Sequence, residues 1–64
     1  MSETAAFRRR WRLGQNEMAS RLGVHRVTLA KWDTGARPEP PWLRLALAGL
    51  DIELRQELDE GEKG

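Results

Sequence analysis

The chain contains no cysteine, and histidine occurs once among its 64 residues. Without cysteine, neither a disulfide nor a thiolate metal site can supplement the core. The single histidine stands apart from any cluster of acidic residues at metal-ligand spacing, and no pair of carboxylates marks a pocket. We therefore expect no metal, no cofactor and no enzymatic activity.

Long hydrophobic runs are also missing. No apolar stretch approaches the roughly 18 residues that span a bilayer, and the N-terminus lacks the apolar core of a signal peptide. The absence of cysteine is compatible with a reducing compartment. These features predict a cytoplasmic protein with no membrane segment.

A chain of 64 residues is long enough for one small domain. A domain of this size buries only about 60% of the surface that its unfolded chain exposes, so its stability alone is marginal. A partner subunit or bound DNA would add stability by mass action. We predict one domain over residues 1–59, followed by a disordered polar tail over residues 60–64.

The net charge of +1 hides a strong asymmetry along the chain. Residues 1–37 carry eight basic and three acidic side chains, a net charge of +5, whereas residues 38–64 carry three basic and seven acidic side chains, a net charge of −4. This division suits a nucleic-acid surface in the first part and an acidic surface turned away from phosphates in the second. Two ordinary solvated faces would produce the same division.

The most informative stretch is residues 15–35, which predicts two helices joined by a tight turn at Gly23 and Val24. In the first helix, Met18, Ala19 and Leu22 fall at helical spacing and form an apolar stripe. The second helix has two distinct faces at about 100° per residue. Its packing face holds Thr28, Leu29 and Trp32; its outer face holds Arg26, Val27, Ala30 and Lys31.

This stretch resembles the helix-turn-helix domain of the phage repressor, Cro and Xre family. The matching residues span Phe7 to Leu47 without a gap; they are Phe7, Arg8, Gln15, Met18, Ala19, Leu22, Gly23, Val24, Thr28, Leu29, Trp32, Asp33, Gly35, Arg37 and Pro38. The resemblance implies an all-α, lambda-repressor-like fold of four to five helices. It also implies binding to double-stranded DNA.

The outer face of the second helix contains the expected base contacts. Arginine and lysine donate to guanine O6 and N7 in the major groove, and small apolar side chains suit the thymine methyl group. We assign base contacts to Arg26, Val27, Ala30 and Lys31. His25 lies where the family usually has serine or threonine, and it either caps the helix or reaches DNA.

Contacts to the DNA backbone are expected around this helix. Gln15 and Asn16 begin the preceding helix, whose free N–H groups attract an anion. By resemblance, Arg37 lies in a loop along the DNA backbone, and Thr28 either packs or contacts a phosphate. Arg10 belongs to an arginine-rich run that is either a solubilising face or a further source of phosphate contacts.

The resemblance also implies an ion pair between Arg8 and Asp33, which would join the first helix to the end of the helix that contacts DNA. That first helix is predicted to begin near Thr4, with Ser2 or Thr4 as its cap.

The rest of the chain predicts a proline-rich loop and a fourth helix from Pro40 or Pro41, followed by a fifth helix from Asp51 to about Asp59. The family often dimerises through this region. We assign a self-association surface to Trp42, Leu50, Leu54 and Leu58. The alternative is that these side chains fold back onto the core of the monomer.

These observations predict a transcriptional regulator, a repressor that binds a palindromic operator as a homodimer through the helix at about residues 25–34. The competing hypothesis is an antitoxin-like module, in which the apolar fourth helix and the acidic tail bind a partner protein and DNA binding is secondary.

Overall fold

The computed structural model describes the backbone of residues 2–63 and the side chains of residues 2–61. Within this range the chain forms four helices and no strand, which confirms the all-α prediction. The helices are α1 (Glu3–Trp11), α2 (Gln15–Leu22), α3 (Arg26–Thr34) and α4 (Leu43–Lys63).

The first three helices end where the backbone turns left-handed. Gly23 and Gly35 have φ values of 73° and 81°, a conformation that glycine adopts without steric cost. At the end of α1 the same conformation is taken by Arg12, with φ at 55°. This is the one position of the described range where a residue with a side chain has positive φ.

The core is built from all four helices. Its central members are the fully buried Met18 of α2 and Leu29 of α3, and Trp32 is nearly as deeply buried. The α4 helix closes the core with one stripe of side chains at helical spacing, which consists of Leu43, Leu47, Leu50 and Leu54. The remaining buried members are Phe7, Leu13 and Ala19.

The predicted fifth helix is not a separate element, because α4 runs without a break from Leu43 to Lys63. Asp51 therefore lies inside α4 and caps no helix. The stripe that ends in Leu50 and Leu54 keeps one helical register across this point, so the core holds the segment in a single helix. Residues 60–63, predicted as part of a disordered tail, continue α4; residue 64 of that tail lies outside the described residues.

The loop between α3 and α4 is tied to the N-terminus of α1. The Glu39 carboxylate accepts hydrogen bonds from the backbone N–H of Glu3 at 3.0 Å and of Thr4 at 2.8 Å. It also accepts one from the Thr4 hydroxyl. Ser2, the N-cap of α1, accepts from the backbone N–H of Ala5 at 2.9 Å. The loop is thus held by the free N–H groups of a helix start.

None of the helices in the described part of the chain is long and apolar enough to cross a membrane.

Candidate nucleic-acid interface

The α2 and α3 helices are joined by only three residues, Gly23, Val24 and His25. The N–H of Gly23 donates to the Ser20 carbonyl at 3.3 Å, and the N–H of Val24 donates to the Ala19 carbonyl at 3.0 Å. These two bonds form a Schellman motif, in which the left-handed Gly23 ends α2 and directs the chain into α3. Val24 packs against the core, as an apolar residue after such a motif should.

The α3 helix divides into the two faces that its sequence predicts. Leu29 and Trp32 are buried in the core. On the outer side, Arg26 and Lys31 are exposed, and Val27 is 48% exposed. Ala30 and Thr28 are half-buried at the two borders between these faces. The outer side of α3 therefore presents a small apolar patch between two cations.

His25 caps α3. Its Nδ1 accepts a hydrogen bond from the backbone N–H of Val27 at 3.1 Å. Because Nδ1 acts as the acceptor, the neutral ring carries its proton on Nε2. Capping and DNA contact are therefore compatible roles for this side chain, since one nitrogen serves the helix and the other is a donor at an exposed position.

An ion pair fixes the last turn of α3 to α1. The Arg8 guanidinium donates to Asp33 Oδ2 through Nη2 at 2.6 Å and through Nε at 3.1 Å. The Asp33 side chain is 6% exposed. Asp33 Oδ1 is buried and has no hydrogen-bond partner among the residues described. This geometry is the Arg8–Asp33 pair that the family resemblance implies.

Gln15 takes part in the same cluster. Its side-chain Nε2 donates to Asp33 Oδ2 at 3.3 Å, so the amide group links the start of α2 to the end of α3. Gly14, the N-cap of α2, supplies no side-chain hydrogen bond to the first turn. The positive end of α2 therefore remains open to an anion beside Gln15 and the exposed Asn16.

Nine of the basic side chains fall into two groups. Five arginines form ion pairs with carboxylates: Arg8, Arg10, Arg21, Arg44 and Arg55. By contrast, Arg26 and Lys31 of α3, Arg37 of the following loop and Arg12 of the α1–α2 turn make no ion pair within residues 2–61. Three of these four cations lie on α3 or on the loop that follows it.

Arg10, which the sequence left between a solubilising role and a contact to the DNA backbone, turns toward α4 in the structure. Its Nη2 lies 3.4 Å from Asp51 Oδ1, and its guanidinium lies 6.0 Å from the centre of the Trp11 ring. Asp51 also accepts from the Trp11 indole N–H at 3.1 Å and from Arg55 at 2.8 Å. Arg10 therefore belongs to a cluster that joins α1 to α4, because a carboxylate on α4 competes for its charge.

Of the four residues predicted to form a self-association surface, two are buried inside the monomer. Leu50 and Leu54 are buried in the core of the monomer, the alternative that the sequence left open. Trp42 is half-exposed and packs edge-on against Trp32, with the ring centres 5.7 Å apart. Leu58 is 59% exposed. The sequence pattern did not separate Leu45 and Ile52, both exposed, from the buried leucines of the same helix.

Glu39 is the structural residue that sequence reasoning missed. Burial tends to raise the pKa of its carboxyl, but the hydrogen bonds from Thr4 and Glu3 outweigh burial and lower that pKa below its ordinary value. Its partners lie 35 and 36 residues away in the sequence. No local pattern could have indicated this contact.

A second long-range pair joins α2 to α4. Arg21 donates through Nη1 and Nη2 to the two carboxylate oxygens of Glu57, at 2.6 and 2.9 Å. This bidentate hydrogen bonding lowers the pKa of Glu57 and raises that of Arg21. In this pair an acidic residue of the C-terminal half neutralises a cation of α2.

Compared with protein-family models, with curated proteins and with solved structures, the chain gives no significant match in any of the three comparisons.

Proposed function

We propose that this protein is a transcriptional regulator that binds specific sequences in double-stranded DNA, with α2 and α3 as its helix-turn-helix. The observation that carries the proposal is the outer face of α3. Arg26 and Lys31 project there without an intramolecular ion pair in the described range, on either side of the exposed Val27. Most other arginines of the chain are paired with carboxylates.

The chemistry of this face suits the edges of bases in the major groove. The two cations are donors for guanine O6 and N7, while Val27 and the half-buried Ala30 suit a thymine methyl group. The proton on His25 Nε2 adds a donor at the start of the same helix. Such a surface discriminates between base pairs by hydrogen bonds and by apolar contact.

Contacts to phosphates position α3 in the groove. The uncapped start of α2 at Gln15 and Asn16 attracts a phosphate through its backbone N–H groups. Arg37 is held near the end of α3, since its N–H donates to the Lys31 carbonyl at 3.2 Å. Thr28 lies at the border of the exposed face and contributes a hydroxyl.

A repressor acting as a homodimer is the simplest form of this regulator. A two-fold dimer would present two copies of α3 about 34 Å apart, on successive major grooves, to a palindromic operator. Occupying promoter DNA is enough for repression. In this proposal the protein works in the cytoplasm, the compartment that the sequence predicts.

A second function from another class is supported by α4. Leu45, Ile52 and Trp42 leave an apolar surface exposed on this helix or at its start. An antitoxin-like module would cover that surface with a partner protein. Purification of a stoichiometric complex with a second protein, which dissociates when Leu45 is replaced by serine, would favour this function over the first.

The test of the first function is selection from random double-stranded DNA at about 0.15 M salt, where non-specific phosphate binding is weakened. We expect enrichment of a palindrome whose half-site centres lie about 10 base pairs apart. The matched controls are Arg26→Ala, which should lose the enriched sequence, and Arg44→Ala, an exposed arginine of α4 that should keep it. Folded wild-type protein that enriches no sequence would overturn the proposal.

A further inference from the structure

The side chains of α3 and of its N-cap differ in whether they can donate or accept a hydrogen bond. The two cations on the outer face, Arg26 and Lys31, can only donate. Four residues of this stretch have side chains that can accept a hydrogen bond: His25, Thr28, Asp33 and Thr34. The positions of these four residues therefore decide whether α3 can recognise a donor on a base.

Two of the four acceptors are used inside the protein. Nδ1 of His25 accepts from the backbone N–H of Val27 at 3.1 Å, so the ring offers only the Nε2 proton to a partner. The Asp33 carboxylate is 6% exposed and accepts from Arg8 through Oδ2 at 2.6 Å, while its Oδ1 is also buried. Neither residue presents an acceptor on the exposed surface of α3.

The two threonines lie away from the residues expected to reach the bases. At about 100° per residue, the half-buried Thr28 lies about 130° from the middle of the outer face. Thr34 lies in the last turn, about 10 Å along the helix axis from Val27, and its hydroxyl donates to the Ala30 carbonyl at 3.1 Å. Because the N-terminal part of a recognition helix contacts base edges, neither hydroxyl supplies an acceptor there.

The outer face is left with donors and apolar groups. Val27 and Ala30 fall between the two cations both along the chain and, at about 100° per residue, around the helix. Val27 is 48% exposed, and Ala30 is half-buried. Arg26 and Lys31 form no ion pair within the described residues. The face therefore holds two free cations separated by methyl groups, and it holds no acceptor.

The four bases differ in the groups that they expose in the major groove. Guanine exposes two acceptors, O6 and N7, and thymine exposes the acceptor O4 and a methyl group. Adenine and cytosine each expose an amino group, which is a donor. A protein face without an acceptor leaves that amino group unpaired, and an unpaired polar group in an interface reduces affinity. Guanine and thymine are therefore the two bases that match the outer face.

We propose that α3 recognises only guanine and thymine, in a core where two G·C pairs flank one or two T·A pairs. Arg26 and Lys31 contact the guanines, and Val27 and Ala30 contact the thymine methyl groups between them. Because every base pair contains either guanine or thymine, the recognised base can lie on either strand. This inference rests on the proposed function, since it names the class of DNA sequence that the same site binds.

The spacing of the two cations sets the spacing of the two guanines. Arg26 and Lys31 are five residues apart, which is about 7.5 Å along the helix axis. For a helix lying along the groove, this length corresponds to about two steps of 3.4 Å between base pairs. One or two T·A pairs therefore fit between the guanines, beside Val27.

Selection from random double-stranded DNA at about 0.15 M salt supplies the site on which the inference is tested. We expect the part of each site that α3 contacts to contain the two G·C pairs with T·A between them. Folded protein that enriches no sequence overturns the proposed function, and this inference with it. An enriched site whose core lacks the G·C pairs overturns this inference alone and leaves the proposed function standing.

Single-atom changes in the selected DNA test the guanine contacts. Replacing a core guanine by 7-deazaguanine removes the N7 acceptor and should weaken binding at least about fivefold. The matched control is 7-deazaadenine at a core adenine, which loses the same atom from a base that α3 does not contact. The control should change affinity by less than about twofold. Equal losses for the two analogues would overturn the proposal.

The thymine contact is tested by combining a DNA change with a protein change. Uracil in place of the core thymines removes their methyl groups and should weaken wild-type binding about three- to fivefold. The same DNA change should have little effect on Val27→Ala, because the partner of the methyl group is already missing. Ile52→Ala, at an exposed position of α4, is the control and should keep the full loss. An equal loss in wild type and Val27→Ala would overturn the contact.

The decisive variant supplies the missing acceptor. A glutamine side chain both donates and accepts and pairs with adenine N6 and N7. Arg26→Gln should therefore change the selected base at one core position from guanine to adenine. Arg44→Gln, an exposed arginine of α4, is the matched control and should keep guanine. Circular dichroism checks that both variants are folded. If folded Arg26→Gln still selects guanine at both positions, Arg26 does not read a base and the proposal is overturned.

Discussion

Arg8 and Asp33 form an ion pair 2.6 Å in length that joins α1 to the last turn of α3. The carboxylate is nearly buried, and it also accepts from the Gln15 amide at the start of α2. One acidic side chain therefore links the first three helices. In the proposed function, this link sets the angle at which α3 enters the groove.

We predict that Arg8→Ala lowers the free energy of unfolding by about 2–3 kcal/mol, because the Asp33 charge would stay buried without its partner. The loss should lie below that of a fully buried pair, since the Arg8 side chain is 29% exposed. Urea unfolding followed by circular dichroism measures it. Arg44→Ala, which breaks the exposed pair with Glu3, is the control and should cost at most about 0.5 kcal/mol.

The double variant Arg8→Ala with Asp33→Ala sharpens this prediction. Removing both charges leaves no unpaired carboxylate, so the double variant should be more stable than the sum of the two single losses implies. Strict additivity of the two losses, or an unchanged unfolding midpoint in Arg8→Ala, would contradict the role of this pair.

Glu39 should make the stability of the fold depend on pH in the acidic range. Its pKa in the folded protein lies below the ordinary value of 4.5, so the unfolded chain binds the proton more readily. The stabilisation is therefore fully present above pH 4.5 and is lost as the pH falls from there through the lower pKa of the folded state.

The variant Glu39→Gln tests this dependence. At pH 7 it should unfold with about 1–2 kcal/mol less free energy than wild type, because charge-assisted hydrogen bonds to the start of α1 are weakened. The difference should shrink below pH 4.5, where wild-type Glu39 itself takes up a proton. A difference that stays constant from pH 7 to pH 2, measured by urea unfolding, would show that Glu39 does not act through its charge.

Arg12→Gly should stabilise the protein. Arg12 ends α1 with φ at 55°, and a side chain in this region is strained where glycine is not. We expect a gain of about 0.5–1 kcal/mol after subtracting the greater freedom of glycine in the unfolded chain. Thermal unfolding measures it. Gly23→Ala, at φ 73°, is the reverse control and should destabilise by about 1 kcal/mol. If Arg12→Gly is less stable than wild type, the backbone at Arg12 is not strained.

Two arginines should affect DNA binding in different ways. Arg26→Ala should lose about 1–3 kcal/mol on the selected operator and much less on scrambled DNA, because it removes a base contact. Arg37→Ala should weaken binding to all sequences alike and reduce the salt dependence by about one phosphate contact. Fluorescence anisotropy titrations at several salt concentrations separate the two. Equal losses on both DNAs for Arg26→Ala would remove it from the base contacts.

Sequence patterns predicted the features of the fold that are set by residues close together in the chain, such as helix ends and helix faces. Gly23 indicated the end of α2 because only a left-handed residue completes its Schellman motif. Leu29 and Trp32 were assigned to the core, and Arg26 and Lys31 to the outer face, from helical spacing alone. His25 was left between two roles, and the structure shows the cap because Nδ1 lies within reach of the Val27 N–H.

Long-range contacts escaped the sequence patterns. Arg10 is part of a basic run, but only its distance from Asp51 shows that its charge is neutralised by α4. The bond between Glu39 and Thr4 joins residues 35 positions apart, and no periodicity predicts it. The predicted break before Asp51 was wrong because an aspartate can begin a helix or lie inside one.

The sequence by itself determined four things about this protein: helices rather than strands, the turn between α2 and α3, the two faces of α3, and an uneven distribution of charge. Each follows from the identity and spacing of neighbouring residues. Only the tertiary structure decided which leucines of α4 are buried, since Leu45, Leu50 and Leu54 are chemically alike and differ only in the direction they point. It also decided which cations are left unpaired, because an ion pair depends on where distant helices meet.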